Sequence, residues 1–333
     1  AQTLAKQHTK CRNAANGFED GRSSGKHEGQ FNTESFLMSL AFHDGRFVEN
    51  TAITISPTDF GFCRGVAIYE FTRIYGGVPF HMDAHLDRML LSAEIAGVTC
   101  PYSKTEITQK VQHIIVQNKF PHSTVKFFLT MGECEKTEGF GFASYENFKP
   151  HFMAIEDQIF PKHPEAPKGM ALHERGLNLK TVPFARELSM MKSINYLPGF
   201  RAARQLPDKN VDEILYTHRD GYVTETTTSN LFCVIDGVLC TPARDMLMGV
   251  TRSVVLDIAK RLGIPPQERD ITLNDLRSAS EAFISGSSIE MVPVRRIDDI
   301  TFAATTEAPI YKKLRKGYSD TIAAYCANYA RAA

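Results

Sequence analysis

Met191-Lys192-Ser193-Ile194-Asn195-Tyr196-Leu197 sets one lysine in a mostly apolar stretch. Withdrawal from water disfavours the charged form of an amine, so such a lysine titrates low and can act as a nucleophile or form a Schiff base. The plainer reading is a side chain that snorkels to the surface along its own methylenes. Downstream, Thr224-Glu225-Thr226-Thr227-Thr228-Ser229-Asn230-Leu231-Phe232 places one carboxylate among hydroxyl and amide side chains between two strand-like runs. It reads either as the solvated face of an edge strand or as an acid kept ionised by hydroxyl and amide donors, able to face a cationic ring nitrogen. Met248-Gly249-Val250-Thr251-Arg252 opens a helix on a glycine. Free N–H groups and a hydroxyl there suit a phosphate, or else form an ordinary cap. Ser285-Gly286-Ser287-Ser288 follows a strand, either as a second anion clamp or as a tight turn.

Around these motifs the chain alternates strand and helix signals. Residues 36–43 and 46–55 read as strands about Asp44-Gly45, and 66–75 and 78–80 as a hairpin about Gly76-Gly77. Helical periodicity covers 83–97 and 104–118, the second opened by a Ser103/Glu106 capping box. Strands at 123–131 and 151–156 flank a Gly- and Glu-rich stretch, 132–150, read as a long loop. The second half begins with a strand at 177–182 and a helix at 194–206. Strands at 213–217, 222–226 and 230–235 come next, then helices at 250–262 and 273–279, a strand at 281–285 and a final helix over 308–331. The fold class is therefore α+β, with two domains. The expected layout is a mobile polar tail over 1–35, an N-terminal α/β domain over 36–157, a linker over 158–172 marked by Pro161, Pro164 and Pro167, and a larger C-terminal domain over 173–333 that ends in the last helix.

Composition excludes several classes. Of 333 residues 43% are hydrophobic and 23% charged, and the formal net charge is zero, which argues against a nucleic-acid surface or a polybasic membrane anchor. No apolar run approaches a membrane span, and the N-terminus lacks the apolar core of a secretory signal. Seven widely spaced cysteines without a C-x-x-C pair fit neither a disulfide framework nor a zinc site, so no metal is expected, and the thiols read as reduced in a cytoplasmic protein, most of them as small core residues.

Each motif alone is bland, but the order of lysine, strand carboxylate, Gly-Val-Thr helix start and Ser turn resembles the class IV aminotransferases, the fold-type IV pyridoxal-phosphate enzymes. The first half agrees. Phe60-Gly61-Phe62-Cys63-Arg64-Gly65-Val66-Ala67-Ile68-Tyr69-Glu70 is similar to the family's strand entering the site, and Phe80-His81-Met82-Asp83-Ala84-His85-Leu86-Asp87-Arg88-Met89 to its H-L-x-R helix. The resemblance runs from about residue 38 to about residue 300. It implies a site between the two domains, with pyridoxal 5′-phosphate on Lys192 and with Lys192 moving the proton. It further implies that Glu225 faces the pyridine nitrogen and that Arg88, Val250, Thr251 and Ser287 hold the phosphate. Tyr69 and Ser288 fall on the substrate side. A small-molecule amino donor and a 2-oxo acid acceptor are the implied partners, and a homodimer or higher homo-oligomer the implied assembly.

Several departures bear on the substrate. The family's Gly-Asp-Gly is Cys63-Arg64-Gly65 here, and Arg64 is expected to face solvent. Leu129–Lys136 lacks the Arg-x-His clamp common in D-amino-acid aminotransferases, and Thr226 replaces a glycine after the acid. Lys-Ser-Ile-Asn is nevertheless closer to the D-amino-acid and lyase branches. The leading expectation is transamination from a branched-chain or other hydrophobic amino acid. The alternatives are a D-amino-acid or amine transaminase and a lyase that releases pyruvate.

Overall fold

The computed structural model describes residues 38–159, 173–208 and 210–332. The expected tail and nearly all of the expected linker, including its three prolines, lie outside the described residues.

Two sheets position the chemistry. The first has the order β2-β1-β6-β5-β3-β4, built from β1 (Leu40–His43), β2 (Arg46–Glu49), β3 (Ala67–Tyr75), β4 (Val78–Pro79), β5 (His122–Lys136) and β6 (Tyr145–Gln158). Two helices cover it. In α2 (Met82–Ala96), Leu86, Met89 and Ala93 face the sheet, and Gly97 stops the helix in the left-handed conformation. In α3 (Lys104–Asn118) the anticipated capping box is present, and Ile107, Val111 and Ile114 pack against Phe42, Phe127 and Phe152. Ahead of β3, the stretch expected to be strand from Phe60 coils instead into a short helix, α1 (Phe60–Arg64). Asp59 imposes that turn by accepting hydrogen bonds from the N–H groups of Gly61 and Phe62.

The expected loop over 132–150 is also corrected: β5 and β6 run on through most of it as a hairpin, leaving only a short turn and a 3-10 turn at Phe142–Ser144. The register shifts at Glu133. Gly132 makes this bulge possible, because at φ 73 an added Cβ would collide with the Lys149 carbonyl oxygen. Beyond the bulge most residues are not buried, so no apolar alternation marked the strands in sequence.

The second sheet contains β7 (Leu177–Pro183), β8 (Glu213–Thr217), β9 (Tyr222–Thr226), β10 (Asn230–Ile235), β11 (Val238–Thr241), β12 (Pro266–Glu268), β13 (Ile271–Thr272), β14 (Glu281–Gly286) and β15 (Glu290–Ile297), with β16 (Ile300–Thr301) on β15. Its order is β12-β11-β10-β14-β15-β7-β8-β9-β13, and the pairing of Asn230 with Glu225 joins β9 back to β10, closing six strands on themselves. Leu231, Ile284, Val292 and Val294 fill one side of this sheet. Helices α5 (Val250–Arg261) and α7 (Pro309–Ala332) cover Phe232 and Phe283 on the other, where Tyr75 and Phe80 of the first half join the same cluster. Helix α4 (Leu197–Gln205) starts later than periodicity suggested, with Pro198 in its first turn. Helix α6 (Leu273–Arg277) opens on a Thr272/Asp275 capping box. Strand β15 was not anticipated, because Pro293 argues against an interior strand. The six cysteines among the described residues are free thiols, but only Cys233 and Cys240 are buried. Among the described residues no helix is long and apolar enough to cross a membrane.

Candidate active site

Between the sheets lies a cleft of about 430 Å³ whose lining includes Tyr69, Arg88, Lys192, Glu225, Val250, Thr251, Ser287 and Ser288, so every site residue singled out from sequence reaches one cavity. The lysine segment, between β7 and α4, is docked on the first sheet. Tyr69 donates its N–H to the Lys192 carbonyl at 2.9 Å, Lys192 donates its own N–H to Ser92 Oγ at 3.1 Å, and Ile68 pairs with Ser193 as an isolated bridge. The Lys192 ammonium lies 5.1 Å from the centre of the Tyr69 ring. Although the residue keeps some exposed surface, its amine is ringed by protein. That desolvation, followed by the positive charge of Arg88, draws its pKa down to about 8.

Arg88 comes from α2 and is fixed by a buried carboxylate. Its Nε and Nη2 donate to Glu70 Oε2 and Oε1 at 2.8 and 2.6 Å, and His85 Nδ1 lies 3.0 Å from Oε1. Burial works against the Glu70 anion, but the charge of Arg88 and the hydrogen bonds from His85 and Arg88 win, holding the acid well below the usual carboxylate range. The remaining Nη1 of Arg88 donates to the Met248 carbonyl at 3.1 Å, which places the guanidinium beside the start of α5. No side chain caps that start. Thr251 Oγ1 stands 3.5 Å from Ser287 Oγ, which is 3.5 Å from His85 Nε2. Gly249 is demanded by close packing, since a Cβ there would run into Asn230 Oδ1. Ser229 and Ser285, also on the cleft wall, carry buried hydroxyls with no partner. A guanidinium, free helix N–H groups and a cluster of hydroxyls together form a donor set suited to a phosphate.

At the other end stands Glu225 on β9. The hydroxyls expected to keep it ionised do not touch it. Its Oε1 accepts from Arg186 Nη1 at 2.6 Å, and its Oε2 from the Leu247 N–H at 3.1 Å and Asn230 Nδ2 at 3.5 Å. Burial pushes this acid up, and Arg186 and the Leu247 N–H pull against it. Arg186 escaped sequence reasoning because it sits in the loop before Lys192 with no periodic signal. It is anchored by donating to the Met191 carbonyl at 3.0 Å. Glu70 and His85 lay inside the quoted motifs, but nothing in their spacing revealed their grip on Arg88. Phe71, Phe128, Ile194 and Tyr196 form an apolar wall, with Lys126 beside them. Arg64 faces solvent, as expected.

Known proteins resemble this chain over most of its length. The chain matches the family described as amino-transferase class IV over residues 67–297. It is similar to a D-alanine aminotransferase of Listeria monocytogenes serotype 1/2a, 31% identical over 286 residues that cover 85% of this chain and 96% of that one. It is likewise similar to a branched-chain-amino-acid aminotransferase of Pseudomonas aeruginosa, 27% identical over 294 residues, 85% and 92% of the two chains. Among solved structures, a T.th. branched-chain amino acid aminotransferase with pyridoxamine 5′-phosphate superposes with a TM-score of 0.75 at 26% identity, over 85% of this chain and 93% of that one. The α+β architecture, with two sheets flanking one cleft, is thus that of fold-type IV, and the chain belongs to the class IV aminotransferases, transaminases that work with pyridoxal 5′-phosphate.

Proposed function

We propose that this enzyme moves the amino group of a hydrophobic amino acid, branched-chain donors foremost, to a 2-oxo acid. The observation that carries the reading is the wall of Tyr69, Phe71, Phe128, Ile194 and Tyr196 in the same cleft as the Lys192 amine, a surface that favours an apolar side chain. When bound, pyridoxal phosphate supplies the electron sink that lets the substrate Cα release a proton. The chain's own residues do the rest. Arg88, Thr251, Ser287 and the N–H groups of Val250 and Thr251 hold the phosphate. Glu225, anchored by Arg186, would face the ring nitrogen and hold its proton. Lys192 would hold the aldehyde carbon until the substrate amine displaces it, and the freed amine would then carry the proton from and to the substrate Cα. The backbone of Ser287 and Ser288 receives the substrate carboxylate, while Arg186 and Lys126 add positive charge to a cleft that must take acids. Tyr69 shields the amine from water.

The remaining assignments rest on similar arguments. Residues 36–157 and 173–333 act as two domains around the cleft, each centred on its own sheet. Exposed Phe140, Phe142, Leu188, Leu197 and Phe200 suit burial against a second copy, which supports a homodimer, and free thiols suit the cytoplasm.

A screen of the holoenzyme with 2-oxoglutarate and a panel of L- and D-amino acids tests the substrate. L-Leucine, L-isoleucine or L-valine should be the best donor, and failure of all three removes the reading. A D-amino acid as donor is the second reading, favoured by the D-alanine aminotransferases among the relatives. It is distinguished by D-alanine outrunning every L-donor. Release of pyruvate without an acceptor would mark a lyase.

The amine of Lys192 also sets a pH dependence. Uptake of pyridoxal phosphate by the cofactor-free chain should rise about tenfold per pH unit below pH 8, where neutral amine is scarce, and level off above it. Stopped-flow absorbance reads this rate, and a flat profile between pH 6 and 9 would contradict a lowered lysine. The linked stability runs the same way. Between pH about 8 and about 10.4 the unfolded lysine keeps a proton that the folded one has lost, so raising the pH through that window relieves a cost that is fully present below it.

A further inference from the structure

Away from the cleft, the turn between β1 and β2 brings a second group of side chains together. Asp44 takes a left-handed conformation, φ 43, at the turn. Its backbone N–H donates to the Phe152 carbonyl at 3.2 Å and its Oδ1 accepts from the Phe152 N–H at 2.9 Å, so the carboxylate is fixed against β6. The other oxygen, Oδ2, faces two imidazoles: His151 Nδ1 at 2.5 Å and His43 Nε2 at 3.4 Å. Behind His151, Glu133 Oε2 stands 2.5 Å from Nε2. All four side chains are partly exposed, and none lines the catalytic cleft.

A neutral imidazole carries one N–H and one lone pair. His151 has a carboxylate oxygen at each nitrogen, so the neutral ring would set a lone pair against an anion on one side. A positive charge there, a second proton or a metal ion, relieves that clash. The third donor separates the two. Beside a protonated His151, His43 adds only a 3.4 Å pairing with Asp44; beside a metal ion it is a third ligand, and the donor atoms of His43, Asp44 and His151 all lie within 4.8 Å of one another. The 3.4 Å between His43 Nε2 and Asp44 Oδ2 is roughly the edge of a tetrahedron with bonds of about 2.0–2.1 Å. Glu133 completes a recurrent pattern in which a carboxylate takes one N–H of a ligating histidine and turns the other nitrogen's lone pair to the metal. Two neutral imidazoles, two carboxylates and a dication sum to zero charge, which suits a half-buried position.

We infer that His43, Asp44 and His151 bind one divalent ion of the zinc class, with Glu133 orienting His151 and water completing the coordination. Imidazole and carboxylate donors select such an ion over calcium or magnesium. His43 and His151 sit on paired strands, with His43 opposite Met153, and Asp44 on the turn that follows β1 is pinned to Phe152, so the backbone already constrains their spacing. On binding, the His151–Asp44 contact must open, from 2.5 Å to about 3.4 Å. The ion ties the first turn of the sheet to β5 and β6. The cysteine spacing that argued against zinc has no bearing on this set, whose donors are brought together only by strand pairing.

Equilibrium dialysis of the chelator-treated holoenzyme against Zn2+ alone tests the inference. The wild-type chain should retain one more equivalent than His43→Gln, which cancels ions held by thiols or by histidines elsewhere. Asp44→Asn keeps the acceptor for the Phe152 N–H and serves as an independent second variant, also expected to lose that equivalent. Glu133→Ala should weaken binding by about 10–100-fold. Circular dichroism confirms that each variant is folded. Equal zinc retention by wild type and both ligand variants overturns the site. So does imidazole NMR that shows His151 doubly protonated at neutral pH in the presence of Zn2+, since the proton then fills the place assigned to the ion.

Discussion

Replacing Lys192 with alanine should lower transaminase turnover by about 10³-fold, the range lost when a positioned acid–base group is removed. The loss has two separable parts. On the proposed roles the amine anchors the cofactor covalently, and its pKa of about 8 keeps a useful fraction neutral near physiological pH. On the same proposal it also carries the proton at the substrate Cα. Reduction of the wild-type holoenzyme with borohydride should add cofactor mass to the peptide that contains Lys192, and the variant should show no such adduct. Small primary amines in solution should restore part of the variant's proton transfer, because they replace the base without repairing any fold. Turnover within threefold of wild type would mean that the cleft has been assigned to the wrong chemistry.

Arg88→Met should produce the largest loss of stability of any single change in the cleft, about 3–5 kcal/mol. Glu70 is fully buried, with a side-chain exposure of 0%, and Arg88 supplies two of its hydrogen bonds and its nearest full charge. Removing the cation strands that anion. The double replacement Glu70→Gln/Arg88→Met should recover most of the loss, since a buried pair exchanged for neutral groups is nearly neutral in stability. The phosphate does not share in the recovery. Both variants should bind pyridoxal phosphate about 10–100-fold more weakly, the cost of one charge-assisted contact. Urea midpoints and cofactor titration separate the two effects. A single variant as stable as wild type would show that the ion pair is not what holds this corner together.

Much of the site was legible because its residues are chemically unusual for their surroundings. Lys192 stands in an apolar run, Glu225 stands among small hydroxyl residues, and a glycine opens α5 where a capping side chain is the norm. Their order along the chain supplied what no motif could supply alone. What stayed hidden were pairings made only by the closed sheet. Arg186 meets Glu225 because the β7–α4 loop folds back across β9, and no local pattern records that return. The hydroxyls beside Glu225 were credited with a task that falls to Arg186, the Leu247 N–H and Asn230. Strand limits failed for a related reason. The ends of β5 and β6 leave the buried core, and a proline interrupts β15, so the apolar alternation that betrays a strand was absent where the strand continued.

The docking of the lysine segment on β3 limits how this enzyme can breathe. Because main-chain bonds to Tyr69 and Ala67 grip the peptide at the Lys192 carbonyl and at the Ile194 N–H, any clamshell swing of one sheet away from the other would drag the reactive nitrogen along with it. Traffic of reactants must therefore pass a stationary amine, admitted by rim side chains that swivel while the scaffold behind them holds still.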